Sequence, residues 1–250
     1  MSIIAKNISK SFNDGKIVAL KNVNVEIKQG EFVAIIGLSG AGKSTFMRSI
    51  NGTNIPSSGS LNVLGKEVTS LKGNALVDLR KQIGFIFQQF NLVKSISVLK
   101  NVLVGRIAYN PLWRSLTGLY KKEDLILAKQ TLDSVGLQDR YHEKARNLSG
   151  GQQQRVAIAR AMVQKPKIIL ADEPMASLDP KLSEIVLEIL TKFNQEQGIT
   201  VLVNIHVLDY AKKYAKRIIG FRKGELVFDG PPPSLTPEIT ESIYTNPEEA

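Results

Sequence analysis

Gly37-Leu38-Ser39-Gly40-Ala41-Gly42-Lys43-Ser44 fits the pattern G-x-x-x-x-G-K-[ST] and stands between a strand-like run, Phe32 to Ile36, and a helical-looking one that starts at Lys43. The pattern describes a cradle for nucleotide phosphates. Glycines leave the backbone free to curl, so several N–H groups converge on one anion, and the following helix adds the positive end of its dipole. A lysine placed as Lys43 is reaches β- and γ-phosphates, and the Ser44 hydroxyl suits a Mg²⁺ ion. The plainer alternative is a glycine-rich turn that binds nothing; the strand before it and the helix after it argue against that.

The bulk composition bounds the rest. With 250 residues, 43% hydrophobic and 22% charged, the chain is long enough for one large domain or a core with a subdomain. No run approaches the ~18 apolar residues of a membrane span, and Met1-Ser2-Ile3-Ile4 does not open a signal peptide, so a soluble, non-secreted protein is expected. Cysteine is absent, which excludes disulfides and thiolate metal sites and leaves oxygen ligands for any metal. The net charge of +10 points either to nucleic acid or to the anionic face of a membrane. The basic residues are scattered, as in Lys121-Lys122, Lys212-Lys213 and Arg222-Lys223, without a long tract of interleaved aromatics, so much of the excess reads as solvated surface.

Residues 2–9 and 17–27 alternate apolar and polar side chains and read as antiparallel strands with one wet face. Between them Phe12 is the one large apolar side chain in a turn, destined either for burial under the sheet or for stacking on a base. After the phosphate loop come a short helix to Ile50, a strand from Ser60 to Leu64, a helix around Ala75 to Lys81 and a strand from Ile83 to Phe87 that runs into Gln88. From about Ser97 to Val163 the spacing becomes helical. Inside that insert, Gly105 to Leu116 holds the only tryptophan, Trp113, and reads either as a partner surface or as an exposed loop.

Leu148-Ser149-Gly150-Gly151-Gln152 opens a further long helix. Ser149 is placed as its N-cap, and the glycine pair again lets an anion approach a helix N-terminus. Ile168-Ile169-Leu170-Ala171 is a strand buried on both faces that ends in Asp172-Glu173. Carboxylates at such a place are costly unless a cation or a reacting group compensates them. In phosphate-loop enzymes an acid there holds Mg²⁺ and its neighbour orients the attacking water. Ser177-Leu178-Asp179-Pro180 opens the next helix, and the apolar strand from Ile199 to Ile205 ends at His206, on the edge where ligands gather in open α/β sheets.

These motifs in this order resemble the ATPase domain of ABC transporters, over nearly the whole chain. The resemblance implies an α/β fold: a P-loop NTPase core with an N-terminal antiparallel β subdomain and a helical subdomain insert. The segments would be core at 1–95 and 164–230, helical at 96–163, and a tail at 231–250. It also implies ATP and Mg²⁺ as cofactors and a head-to-tail homodimer in which one copy's phosphate loop is capped by the other's Ser149, Gly150, Gly151 and Gln152. Carried over, Gly37, Ser39, Gly40, Gly42, Lys43, Ser44 and Thr45 hold the nucleotide, Phe12 stacks on adenine, and Ser44, Gln88 and Asp172 serve the metal. Glu173 polarises water, His206 contacts the γ-phosphate, Gln88 senses metal and membrane partner, and Asp179 couples the two sites.

Within the family, Gln88 to Val93 and Gly105 to Leu116 resemble the ATPase of phosphonate importers, which implies uptake of a phosphonate or a related oxyanion such as phosphite. Membrane permease subunits and, indirectly, a substrate-binding protein are then the partners, on the cytoplasmic side of the cell membrane. An importer for another small solute and a nucleic-acid-handling ATPase are the competing readings; the latter needs long coiled coils, and no sustained heptads occur. A simple phosphate-loop kinase leaves Leu148 to Gln152 unexplained, and a binding module without turnover leaves Glu173 unexplained.

Overall fold

A computed structural model of the chain describes residues 1–13, 15–111, 114 and 118–245. Trp113, in the stretch read either as a partner surface or as an exposed loop, lies outside the described residues. In chain order the elements are β1 (Ile3–Phe12), β2 (Ile17–Ile27), β3 (Phe32–Ile36), α1 (Lys43–Ile50), β4 (Ser58–Val63), β5 (Lys66–Glu67) and α2 (Gly73–Arg80). Next come β6 (Ile83–Ile86), α3 (Val98–Leu103), α4 (Lys122–Ser134), α5 (Gly150–Met162), β7 (Ile168–Ala171) and α6 (Pro180–Gln197). The chain closes with β8 (Thr200–Asn204), α7 (Leu208–Tyr214), β9 (Arg217–Arg222), β10 (Glu225–Gly230) and α8 (Pro237–Tyr244). The result is the expected α/β class. Two compact units divide it, 1–80 with 191–250 and 81–190.

The first unit holds an antiparallel sheet in the order β2-β1-β4-β5 and, apart from it, the neighbouring strands β10-β9-β3-β8. Strand β3 is parallel to both of its neighbours, and all five of its residues are buried. That is why its sequence is a continuous apolar run, whereas the end of β2 alternates between core and solvent. Strand β1 runs on to Phe12, which pairs with Ile17, so Phe12 is the last strand residue and not a loop residue as the alternation suggested. Register shifts between Ala5 and Ser11 break the period of two. Asn7 and Asn22 take up the left-handed turns there (φ 50° and 45°), and the Asn24 amide bridges to Asn7 at 2.8 Å.

In the second unit β6 and β7 pair in parallel. The insert is mainly helical, but the stretch around Arg106 and Tyr109 faces inward. Tyr109 donates to the carbonyls of Lys81 and Gln164, and Arg106 stacks 3.8 Å from its ring while pairing with Asp124 at 2.8 Å. Those two side chains therefore tie the insert together from within. Buried Asn101 closes another part of the insert, accepting from the Val93 N–H and donating to the carbonyls of Val93 and Ser97.

The phosphate-loop backbone is wedged into the first unit from two sides. The Gly224 N–H donates to the Ala41 carbonyl and the Lys21 N–H to the Gly224 carbonyl, so the β9–β10 turn clips the loop to β2. A Cβ at Gly42 would stand 2.5 Å from the Ala19 carbonyl oxygen, and one at Gly37 would collide with the Phe221 carbonyl. Gly40 differs: its φ is +78°, but a Cβ there meets no atom within 4 Å. Gly37→Ala should thus lower the unfolding free energy by more than about 3 kcal/mol, since backbone must move, while Gly40→Ala costs only the left-handed conformation, about 1–2 kcal/mol. Urea unfolding of the two variants checks this; equal losses would contradict the wedged-loop account.

Candidate functional site

Chain reversal after β3 is what creates the first half of the site. Gly37, Gly40 and Gly42 all have positive φ (138°, 78° and 105°), and Gly42 forms the N-cap of α1 with no side chain in the way. Backbone N–H groups at such a helix start are turned toward one point, which is how a peptide chain binds phosphate oxygens. Lys43 is only 4% exposed, and its ammonium donates to the carbonyls of Gly37 (2.8 Å) and Leu38 (2.9 Å). The cation is therefore fixed over the loop by the loop itself. Ser39 and Gly40 are exposed, while Ser44 and Thr45 are half-buried behind them.

Residue Ile35 of β3 is paired with Asn204 of β8, and the Ile205 N–H donates to the Ile35 carbonyl. Both strands consequently end at one edge, and His206, exposed, leaves β8 level with the start of the phosphate loop. Phe12 is half-buried, with the Lys10 ammonium 5.0 Å from its ring centroid, so one aromatic face is already covered by a cation. Tyr244, at the end of α8, was not legible as a site residue. Its buried hydroxyl faces the Gly37 N–H without a completed hydrogen bond, and burial raises its pKa above the usual phenol value while the Gly37 N–H acts the other way.

The second unit repeats the same edge logic. Ile86 pairs with Ala171, and the Asp172 N–H donates to the Ile86 carbonyl, so Gln88, Asp172 and Glu173 all follow parallel strands that end together. Asp172 is 4% exposed. Glu173 adopts φ 50°, a left-handed conformation that costs a β-carbon-bearing residue about 1–2 kcal/mol. Strain of this kind is characteristic of positions where the direction of a side chain matters more than stability.

Ser149 caps α5 in a reciprocal box: its hydroxyl accepts from the Gln152 N–H, and the Gln152 side chain accepts from the Ser149 N–H. Gly150 is exposed, while Gly151 is buried so close to α6 that a Cβ there would stand 2.8 Å from Leu182. Asp179 accepts from the Leu182 N–H at 3.0 Å and so caps α6. Sequence motifs gave no hint of Arg160, the hub of this unit. From α5 it donates to the carbonyls of Phe90 (2.8 Å) and Asn91 (2.6 Å), and burial lowers its pKa. It holds the segment after Gln88 onto the helix that Ser149 caps. A polar groove of about 700 Å³ lies along that segment, lined by Gln88, Gln89, Phe90, Leu92, Lys94 and Gln153 among others.

The donor set fits a nucleotide phosphate with a hard cation. No group of three or more His, Cys, Asp or Glu side chains gathers among the described residues to cage a metal. Mg²⁺ does not need such a cage, being held by one or two protein oxygens together with substrate phosphates. Also among the described residues, no helix is long and apolar enough to cross a membrane.

Comparison with known proteins agrees with this geometry. Residues 20–176 match the model of the family described as ABC transporter. The chain is 52% identical to the phosphonates import ATP-binding protein PhnC of Staphylococcus aureus (strain USA300) over 239 residues, 96% of this chain and 93% of the relative. Among solved structures, the dimeric ATP-binding cassette MJ0796 bound to ADP and Pi is 39% identical with a TM-score of 0.79, over 92% of this chain and 98% of that one. The cassette cbiO1 of Clostridium perfringens is 28% identical with a TM-score of 0.83, over 96% of this chain and 93% of that one. With its glycine loop, capped Ser149 helix and strand-end acids in family order, this chain belongs to the ABC transporter family and is one of its nucleotide-binding ATPases.

Proposed function

We propose that this chain powers an importer of a phosphonate or a related phosphorus oxyanion such as phosphite, by hydrolysing ATP on the cytoplasmic side of the cell membrane. The observation that carries this reading is the identity to a phosphonates import subunit across 96% of the chain. Permease subunits are its direct partners and a separate substrate-binding protein an indirect one.

Gly37, Ser39, Gly40, Gly42, Lys43, Ser44 and Thr45 bind the phosphates, and Phe12 stacks on adenine. Two such chains pair head to tail, so that Ser149, Gly150, Gly151 and Gln152 of one copy present the α5 N-terminus to the γ-phosphate held by the other. Ser44, Gln88 and Asp172 are the proposed residues for Mg²⁺, which would supply charge neutralisation at the phosphates. Glu173 takes a proton from water as the water oxygen forms its bond to the γ-phosphorus. The bond from that phosphorus to the β,γ-bridging oxygen breaks, and ADP leaves with the electron pair. His206 donates a hydrogen bond to the γ-phosphate oxygens. Asp179, which holds the start of α6, transmits occupancy of one site to the other. Gln88 and the groove beside it carry that state to the permease.

Glu173→Gln keeps size and hydrogen-bonding reach but removes the base, so turnover should fall about 10²–10⁴-fold while ATP stays bound and dimers accumulate. Ser149→Arg should abolish hydrolysis and leave single-chain nucleotide affinity within about threefold. Stopped-flow phosphate release and nucleotide titration read both; parallel loss of binding and turnover in Ser149→Arg would place that helix in its own chain's site. For the substrate, deleting the chain should stop growth on a phosphonate or phosphite as sole phosphorus source and spare growth on phosphate. Undiminished growth on both would remove the phosphorus-oxyanion reading.

A further inference from the structure

Helix α8 is fastened to β9, the strand that shapes the start of the phosphate loop, and both belong to the first unit. Ile243 is fully buried over Gly220, so close that a Cβ on Gly220 would stand 2.7 Å from its side chain. One residue earlier, the Ser242 carbonyl accepts from the Arg222 guanidinium at 2.8 Å. Gly220 pairs with Ile36 in the sheet. Phe221 sets its carbonyl against Gly37 and its ring against Phe46 of α1, with 5.4 Å between centroids.

Tyr244, the residue after Ile243, carries a hydroxyl that is closed off from water and has no completed hydrogen bond among the described residues, with the Gly37 N–H as the polar group before it. Burying a hydroxyl without a partner is unfavourable, and exchanging it for a hydrogen atom is then neutral or stabilising. Phenylalanine would fill the same space without that cost. What the hydroxyl adds is an acceptor beside the first amide of the loop. Across the Gly37 α-carbon, where φ is 138°, stands the carbonyl that takes the Lys43 ammonium at 2.8 Å. Glycine leaves that carbonyl free to swing, and a fixed N–H on the other side of the same residue limits the swing.

We propose that Tyr244 is a positioning residue for nucleotide binding: as the loop closes on the phosphates, its hydroxyl accepts the Gly37 N–H and so sets the carbonyl that aims Lys43. Tyr244 itself touches no phosphate. The inference deepens the phosphate-loop reading above and rests on it. Through this contact α8, more than 190 residues further along the chain, helps to decide how tightly the loop holds ATP.

The test uses the full chain. Tyr244→Phe should bind ADP about three- to tenfold more weakly than wild type in a calorimetric titration and raise the KM for ATP by the same factor, as expected for one hydrogen bond between neutral groups. Turnover at saturating ATP should stay within about twofold, and the melting temperature without nucleotide should hold or rise. With ADP bound, hydrogen exchange at the Gly37 amide should be slower in wild type than in the variant. Tyr214→Phe is the control: its hydroxyl is likewise buried and unpartnered among the described residues, but it precedes β9 at the end away from the loop, so nucleotide affinity should not change. Unchanged ADP affinity in Tyr244→Phe, with or without a lower melting temperature, would overturn the proposal, as would an equal loss in Tyr214→Phe. Wild-type chain that binds no ADP would overturn the phosphate-loop reading and the proposal together.

Discussion

The constraint on which the rest of this structure depends is the placement of one cation inside a loop that has no side chains to spare. Lys43 satisfies its ammonium with the Gly37 and Leu38 carbonyls, and it can do so only because the chain between them turns through left-handed glycine conformations. Bringing a second backbone that close requires Phe221, Ala19 and Gly224 to be exactly where the sheets put them, within reach of Gly37 and Gly42. The parallel run of β3 between β8 and β9 and the clip through Gly224 are thus the scaffold of a phosphate site as well as a hydrophobic core. A charged loop built this way needs little rearrangement to meet an anion, and preorganisation of this sort is where electrostatic catalysis comes from.

The acids follow a different logic. Asp172 and Glu173 emerge together from a strand with no exposed residue, one nearly buried and the other held in a strained left-handed turn. The Ser149 helix start belongs to the same unit, tied to the segment after Gln88 by Arg160. A shift of that segment is thereby mechanically linked to the helix N-terminus that is proposed to meet a second copy's nucleotide.

Much of this was legible in the sequence because the residues concerned are limited by backbone geometry. A continuous apolar strand, a glycine loop and a lysine allow few structures, and the capping Ser149 and strand-end Asp172 announce themselves by position. Phe12 was misplaced because register shifts in β1 break the period on which strand boundaries are read. The seven-residue helix Leu208–Tyr214 escaped notice because two turns are too short to establish a period. Arg160 and Tyr244 act through backbone groups of residues remote in sequence, Phe90 and Gly37, and no local pattern encodes such contacts. The inward ties of Arg106 and Tyr109 were hidden for the same reason.

The central claim is that a nucleotide is enclosed by Ser39 of one copy and Ser149 of another, and the absence of cysteine from the chain makes it directly measurable. Ser39→Cys and Ser149→Cys are placed on separately tagged copies in the Glu173→Gln background, mixed, and treated with a short bismaleimide with and without ATP. The account predicts an ATP-dependent crosslink between the two differently tagged chains. Failure of ATP to produce that crosslink, in chains shown to bind ATP, would contradict it.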